Sequence, residues 1–522
     1  MKEIKKFFLC LIFRFICFLI TDTWFVPDEY FQCTEVAYGM VYNRSHLTWE
    51  WKRDPPLRSV IHPLMVSWLY RLYKLVGGDT NLIIRVIPNL LHSYFFALGD
   101  VFYFMLCERI FFANPRGYTI TLILYFTNWF IIYCSSRSLA NSLECVLVII
   151  ALYWYPLYPD EVAPKTPVAR RRQKSFIPYM VLGTLSIIIR PTAILIWGLL
   201  GLYHLYRSNQ KFSLLRTATF SCSLPLMFAI GLDSDFHSPL KFPLLSFAQF
   251  NFFTGGSAHF GVHPWYWYLV DGLLLTTAGM YVAAIGGYLY QVDRQLPRSP
   301  PKILFLTALF YIIVHSWLPH KEHRFVLPII PLLLPFAALF LQYMFTKMQR
   351  FVQGVILFYV IVNVIAAIFF CKFHQRGVLE ATKDIVEDIS LRRPSNSIVH
   401  IVQLTPCYSM PQYAYFHQLP VEHHMLDCTP NLSNKPNYID ESDLFHADPV
   451  KFLYNPDNYE EYLLHRHSYV IIYKKTYQKI SSILKETGYR IWRKYSHTIM
   501  PSSKNQDTVL FVLKRSSNAL MK

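Results

Sequence analysis

The sequence lacks any single basic stripe or patch, although it is short of acids: 33 Asp and Glu stand against 50 Lys and Arg, a net charge of +17. A nucleic-acid-binding chain concentrates its bases on one face, so no nucleic-acid partner is expected. Paired cysteines at metal-binding spacing are also missing. Most of the ten cysteines sit inside apolar runs (Cys10, Cys17, Cys107, Cys134, Cys145, Cys222, Cys371), where they read as small buried hydrophobes. A third absence is a cleavage site. The basic start from Lys2 to Lys6 and the apolar Phe7–Ile20 have the layout of a secretory signal, but Thr21-Asp22-Thr23-Trp24 follows with no small-residue motif. The segment is therefore expected to stay as a first span that starts in the cytosol.

What is present is apolar sequence, 53% hydrophobic and 17% aromatic, over the first two-thirds and a polar tail from about Lys372. Membrane segments are expected near 7–21, 82–106, 118–134, 139–156, 176–189, 191–206, 214–232, 267–290, 303–318, 326–345 and 351–371. With the N-terminus in the cytosol, the cytosolic ends collect Lys2, Lys5, Lys6, Arg109, Arg116, Lys165, Arg170, Arg171, Arg172, Lys174, Arg207, Lys211, Arg216, Arg294, Arg298, Lys302, Lys347 and Arg350. The opposite short loops carry only Arg137, Arg190, Lys241, Lys321 and Arg324. That asymmetry is the positive-inside pattern. Two glycosylation sequons, at Asn43 and Asn431, fall on the non-cytosolic side under this count. The expected architecture is a membrane α-helical bundle of about 11 transmembrane helices over 1–371, with amphipathic helices such as Val60–Val76 in the headgroup plane. A C-terminal α/β domain, 372–522, follows on the non-cytosolic side. Its helix is Gly377–Leu391, and its strands are Ser397–Leu404, Ser468–Tyr473 and Thr508–Leu513. Cys407 and Cys428 lie in that oxidising compartment and either pair or remain thiols.

Nearly everything polar and unusual gathers on that side. Asp28 and Glu29 follow Pro27 just past the first span; they cap the helix Tyr30–Val41, or serve as a general base, or both. In the same loop Trp49, Glu50, Trp51 and Arg58 have a sugar-binding composition, or form an interfacial aromatic belt. Arg137, Asn141 and Glu144 share one helical face that should look into a cavity or hold an internal ion pair. Arg190-Pro191 breaks an apolar run at the same level. The run Pro319-His320-Lys321-Glu322-His323-Arg324-Phe325 stands between two apolar spans with no Gly or Ser, and its cations suit a lipid-linked phosphate. Metal binding there is disfavoured, because His320 and His323 lack an acid of ligand geometry.

These motifs, in this order, resemble the GT-C glycosyltransferases that use dolichyl-phosphate mannose: an acidic motif in the first lumenal loop and a His-Lys/Gln-Glu-x-Arg-Phe motif in a late one. Within them the resemblance is to the type that acts on the third mannose of glycosylphosphatidylinositol (GPI). It runs through Pro27-Asp28-Glu29-Tyr30-Phe31-Gln32, Leu47-Thr48-Trp49-Glu50-Trp51, Leu57-Arg58-Ser59, Pro406-Cys407-Tyr408-Ser409-Met410-Pro411 and Leu426-Asp427-Cys428-Thr429-Pro430. Phe31 and Cys33 depart from the pattern, standing where Trp and Ser are expected. The resemblance implies a multi-pass enzyme of the endoplasmic reticulum membrane. It would transfer α1,2-linked mannose from dolichyl-phosphate mannose to a GPI precursor on the lumenal face, by an inverting single displacement without cofactor or metal. It implies Asp28 as base, Glu29 as its helper, and His320, Lys321 and Arg324, with Arg137 and Arg190 behind them, as the grip on the donor phosphate. Enzymes of the same class acting on lipid-linked oligosaccharide or on the fourth GPI mannose, and a glycolipid transporter, are the competing readings.

Overall fold

The structure is a computed structural model that describes residues 2–112, 114–162, 175–294, 296, 299–391, 398–431, 435–464 and 467–515. Lys165, Arg170, Arg171, Arg172, Lys174, Arg298, Ser397 and the sequon positions Leu432 and Ser433 lie outside the described residues. Contacts divide the chain into two compact units rather than at one point near Lys372. One comprises Met1–Leu19, Glu50–Met65 and Pro88–Ala367; the other comprises Ile20–Trp49, Val66–Ile87 and Ile368–Lys522.

Each of the eleven apolar segments is helical. Among the described residues, four helical stretches are long and apolar enough to cross a bilayer: Asn81–Ile110, Lys211–His237, His323–Lys347 and Gln349–Leu391. Two bent pairs would bring this to six: Pro115–Thr127 with Trp129–Ser135, bent by 56°, and Tyr268–Thr276 with Met280–Arg294, bent by 102°. Ala140–Trp154, Ile177–Ile189 and Lys302–Trp317 are apolar but shorter. The breaks have local causes. Asn128 ends one helix and caps the next, its Oδ1 accepting from the Ile131 N–H at 2.9 Å. The sharper bend turns on Ala278 and Gly279, with φ of 46° and 79°, a left-handed pair that glycine enters at little cost. Helix Met280–Arg294 then packs on Ile330–Lys347 so closely that a Cβ at Gly287 would collide with the Phe336 carbonyl.

One charge pair lies buried between two helices of the first unit. Arg14, in helix Lys2–Ile20, binds Asp100, in Asn81–Ile110, through two bonds of 2.7 and 2.8 Å. Tyr125 donates to the same carboxylate at 2.9 Å. Both charges are fully buried, where an ion survives only if paired and hydrogen-bonded.

The second unit is built on a five-stranded sheet of β1 (Val399–Leu404), β2 (Val421–Met425), β3 (His467–Tyr473), β4 (Tyr489–Ser496) and β5 (Val509–Arg515), in the order β2-β1-β3-β5-β4. β1 runs parallel to β2 and β3; β5 runs antiparallel to β3 and β4. One core joins the sheet to helix Gly377–Leu391 and to Trp24, Tyr30 and Phe31 of the first loop. Those three aromatics bury their rings in the sheet domain, so the loop folds with the tail. Cys407 and Cys428 form a disulfide with Cα atoms 6.1 Å apart.

Candidate active site

In the second unit, Pro27 opens a helix whose first turn carries the acidic pair. The Pro27 carbonyl accepts from the Tyr30 and Phe31 N–H groups at 3.0 Å each. Two carboxylates in a first turn sit at the positive end of the backbone dipoles. Glu29 is 1% exposed, whereas Asp28 is half-buried, so Asp28 is the more accessible acid of the pair. The helix then widens into one π turn, Tyr30–Thr34, before Glu35–Tyr42; such turns occur often at functional sites. Trp24 stacks on Tyr30 at 4.5 Å, and Phe31 meets Tyr408 edge-on at 5.1 Å.

One turn on, Glu35 is buried and takes the N–H groups of Gln412 and Ala414 on a single oxygen, at 3.1 Å each. Burial pushes its carboxyl up to about 7, with these backbone bonds pulling the other way. Glu35 was not singled out from sequence, although it is the sole acid in the amphipathic run Tyr30–Val41. Further contacts fix the same segment: Tyr38 bonds His417 at 3.1 Å, and Asn81 donates to the Tyr415 carbonyl at 2.7 Å. Asn43, exposed and left-handed at φ 55°, ends the helix. Asn431 is half-buried, and its side chain bonds the Lys435 backbone. Trp49 is buried in this unit.

In the first unit, Glu322 organises the late loop. It clasps Arg324 through two bonds of 2.6 Å and takes the His320 Nε2 at 2.8 Å. Burial alone would raise its carboxyl, but Arg324 and His320 hold it well below the usual carboxylate range. Lys321 is bound differently. Its ammonium donates to the carbonyls of Leu318 and His263, at 2.6 and 3.0 Å, and has no carboxylate partner among the described residues. Burial lowers its pKa. The buried Nδ1 of His320 also has no hydrogen-bond partner among the described residues. An ammonium with no carboxylate partner is a place where an anion is favoured.

Arg190 supports this loop. Its Nε lies 3.1 Å from Glu144, its Nη1 donates to Asn141 at 3.1 Å, and its guanidinium covers the Phe325 ring at 4.9 Å. Asn141 in turn donates to the Arg324 carbonyl at 3.2 Å. Arg137 stands in the bend before helix Ala140–Trp154, so the expected shared helical face breaks at Leu139, the N-cap. Asn141 and Glu144 are buried on that helix, and among the described residues the arginine ion-paired to Glu144 is Arg190. Arg137 lies over the Tyr133 ring at 4.1 Å and donates to the Tyr133 carbonyl at 3.1 Å. Of the first-loop residues in this unit, Arg58 pairs with Glu50 at 2.7 Å, and the buried Trp51 stacks at 5.9 Å on His237, the last residue of helix Lys211–His237. The roles of Glu322 and of the His263 carbonyl escaped sequence reasoning, because neither is a cation.

Residues 6–417 match the Alg9-like mannosyltransferase family. The GPI alpha-1,2-mannosyltransferase 3 of Homo sapiens is 30% identical over 94% of this chain and 83% of its own. The GPI mannosyltransferase 3 of Candida albicans is 33% identical over 87% and 86%, and the mannosyltransferase APTG1 of Arabidopsis thaliana is 31% identical over 86% and 81%. Among solved structures, ArnT from Cupriavidus metallidurans bound to undecaprenyl phosphate superposes with a TM-score of 0.60 at 12% identity, covering 99% of this chain and 98% of that one. The fold is thus that of a multi-pass GT-C glycosyltransferase.

Proposed function

The chain belongs to the Alg9-like mannosyltransferase family, and from that premise we propose that it adds the third, α1,2-linked mannose to the GPI precursor in the endoplasmic reticulum membrane. The observation that carries this is similarity along most of the chain to relatives named GPI alpha-1,2-mannosyltransferase 3, in Homo sapiens, and GPI mannosyltransferase 3, in Candida albicans. Dolichyl-phosphate mannose is the proposed donor, and the proposed site faces the lumen.

The chemistry follows from the linkages. A β-linked donor and an α-linked product require inversion, hence one displacement. The acceptor 2-hydroxyl attacks C1 of mannose as the bond from C1 to the phosphate oxygen breaks. Asp28 takes the hydroxyl proton, and dolichyl phosphate leaves as an anion. Asp28 is assigned the base because it is the more exposed acid of the pair; Glu29 orients it. The leaving group is stable as an anion, so the proposed reaction needs neither a general acid nor a metal. Lys321 and His320 are the proposed phosphate donors. Arg324 and Arg190 hold the loop, and Arg137 stands behind them as added positive charge. Roughly eleven spans are proposed, from the eleven apolar helical segments and the charge asymmetry of their loops.

The test is reconstitution. Purified chain with dolichyl-phosphate mannose and a dimannosyl GPI precursor is expected to yield a trimannosyl product with a new α1,2 linkage. Extension of a trimannosyl GPI precursor or a lipid-linked oligosaccharide, with the dimannosyl precursor untouched, would overturn the substrate assignment.

A further inference from the structure

We propose that His400, Glu422 and His424, at the edge of the five-stranded sheet, form a binding site for one Zn2+ ion. None of the three is among the residues proposed for mannose transfer.

The strand register makes the cluster. β1 and β2 are parallel, and His400 pairs with Glu422. Side chains alternate along a strand, so Glu422 and His424 share the face on which His400 stands. His423, between them, points to the other face, where it meets Tyr413 and Phe416 edge-on at 5.1 and 4.8 Å. The His400 Nδ1 lies 3.4 Å from the His424 Nε2 and 3.4 Å from the Glu422 Oε2. One ligand atom from each of the three residues lies within 4.8 Å of the others. Two ligands bound tetrahedrally at about 2.05 Å are separated by about 3.35 Å. The observed spacings from His400 thus already match those of zinc ligands. Two imidazoles and one carboxylate are a donor set suited to Zn2+, and three protein ligands leave a fourth position for water or an oxyanion.

The place in the fold gives such an ion a purpose. β2 is an edge strand, paired on one side only among the described residues. Just beyond the C-terminal ends of β1 and β2, the disulfide Cys407–Cys428 ties the two exits together. His400 lies near the start of β1, and Glu422 and His424 lie along β2, so a bound ion would brace the remaining part of the pair.

The alternative is a plain ion pair of His400 with Glu422, and zinc content separates the two. The whole chain, purified in detergent without a polyhistidine tag, would be stripped with chelator, titrated with ZnCl2 and assayed for bound metal. The wild type is expected to hold about one Zn2+ per chain and to gain a few degrees in Tm with zinc. His400→Gln with His424→Gln should lose that ion while keeping the chelator-treated Tm, and Glu422→Gln should weaken binding about tenfold or more. Retained mannosyl transfer would report that the variants fold. Zinc below about 0.2 per chain in the wild type, or equal zinc in the folded double variant, would overturn the site.

Discussion

The Glu322 carboxylate holds the Arg324 guanidinium through two parallel bonds of 2.6 Å. That clasp, rather than any single cation, sets the shape of the late loop, because the same carboxylate also receives His320 at 2.8 Å. Bidentate pairs of this kind fix geometry as well as charge. Replacing Glu322 with Gln removes the charge and one accepting oxygen while keeping the size. Turnover in the reconstituted assay should fall about tenfold or more, whereas Lys321→Ala, which deletes a proposed phosphate contact, should cost about a hundredfold. Lys321→Arg keeps the charge and should recover part of the loss.

Glu35 makes the second unit sensitive to pH. Burial raises its carboxyl from 4.5 to about 7, so the folded unit prefers the neutral acid. Its contribution is full below the unfolded pKa and is lost as pH rises through about 7, to the extent of roughly 3 kcal/mol. Wild type should therefore lose more thermal stability than Glu35→Gln between about pH 5 and pH 8. Equal slopes for the two proteins would contradict this. Glu35→Ala should be destabilised by about 2 kcal/mol or more near pH 5, since two buried N–H groups lose their acceptor, and by less at about pH 8, where wild type carries the cost of the buried charge.

The buried pair Arg14–Asp100 should respond asymmetrically. Removing one partner leaves a bare charge inside the bundle and costs about 3–5 kcal/mol, while Arg14→Met with Asp100→Leu together should cost far less. Thermal unfolding of the three variants in detergent measures the difference. Equal destabilisation by the single and double variants would contradict it.

The disulfide Cys407–Cys428 closes a loop with a sequence separation of 21. Opening it with Cys407→Ala and Cys428→Ala should lower stability by about 3 kcal/mol. Maleimide labelling of denatured protein should reach both thiols only after reduction.

Much of this was legible in sequence for a physical reason. The eleven apolar runs and helix Gly377–Leu391 are written in periodicity, and each is helical. The sheet was half legible. β1, β3 and β5 are the inner strands of β2-β1-β3-β5-β4 and read as apolar runs, whereas β2 and β4 are its two edges. Edge strands such as Val-Glu-His-His-Met and Tyr-Arg-Ile-Trp-Arg-Lys-Tyr-Ser carry charge as a defence against further pairing, which hides them from a search for hydrophobic runs. The cation cluster His320–Arg324 stood out by composition. Long-range partnerships did not: no spacing rule joins Glu144 to Arg190, Arg14 to Asp100 or Glu35 to the Gln412–Ala414 backbone, because each pairing is made by packing of distant segments.

If Asp28 is the base, its carboxylate must take up the acceptor's proton. Asp28→Asn keeps size and polarity but accepts no proton, so the purified variant should bind acceptor as wild type does. Its turnover of dolichyl-phosphate mannose onto dimannosyl GPI should fall by about 10²–10⁴-fold. Turnover within about threefold of wild type would contradict the account and move the chemistry to another acid.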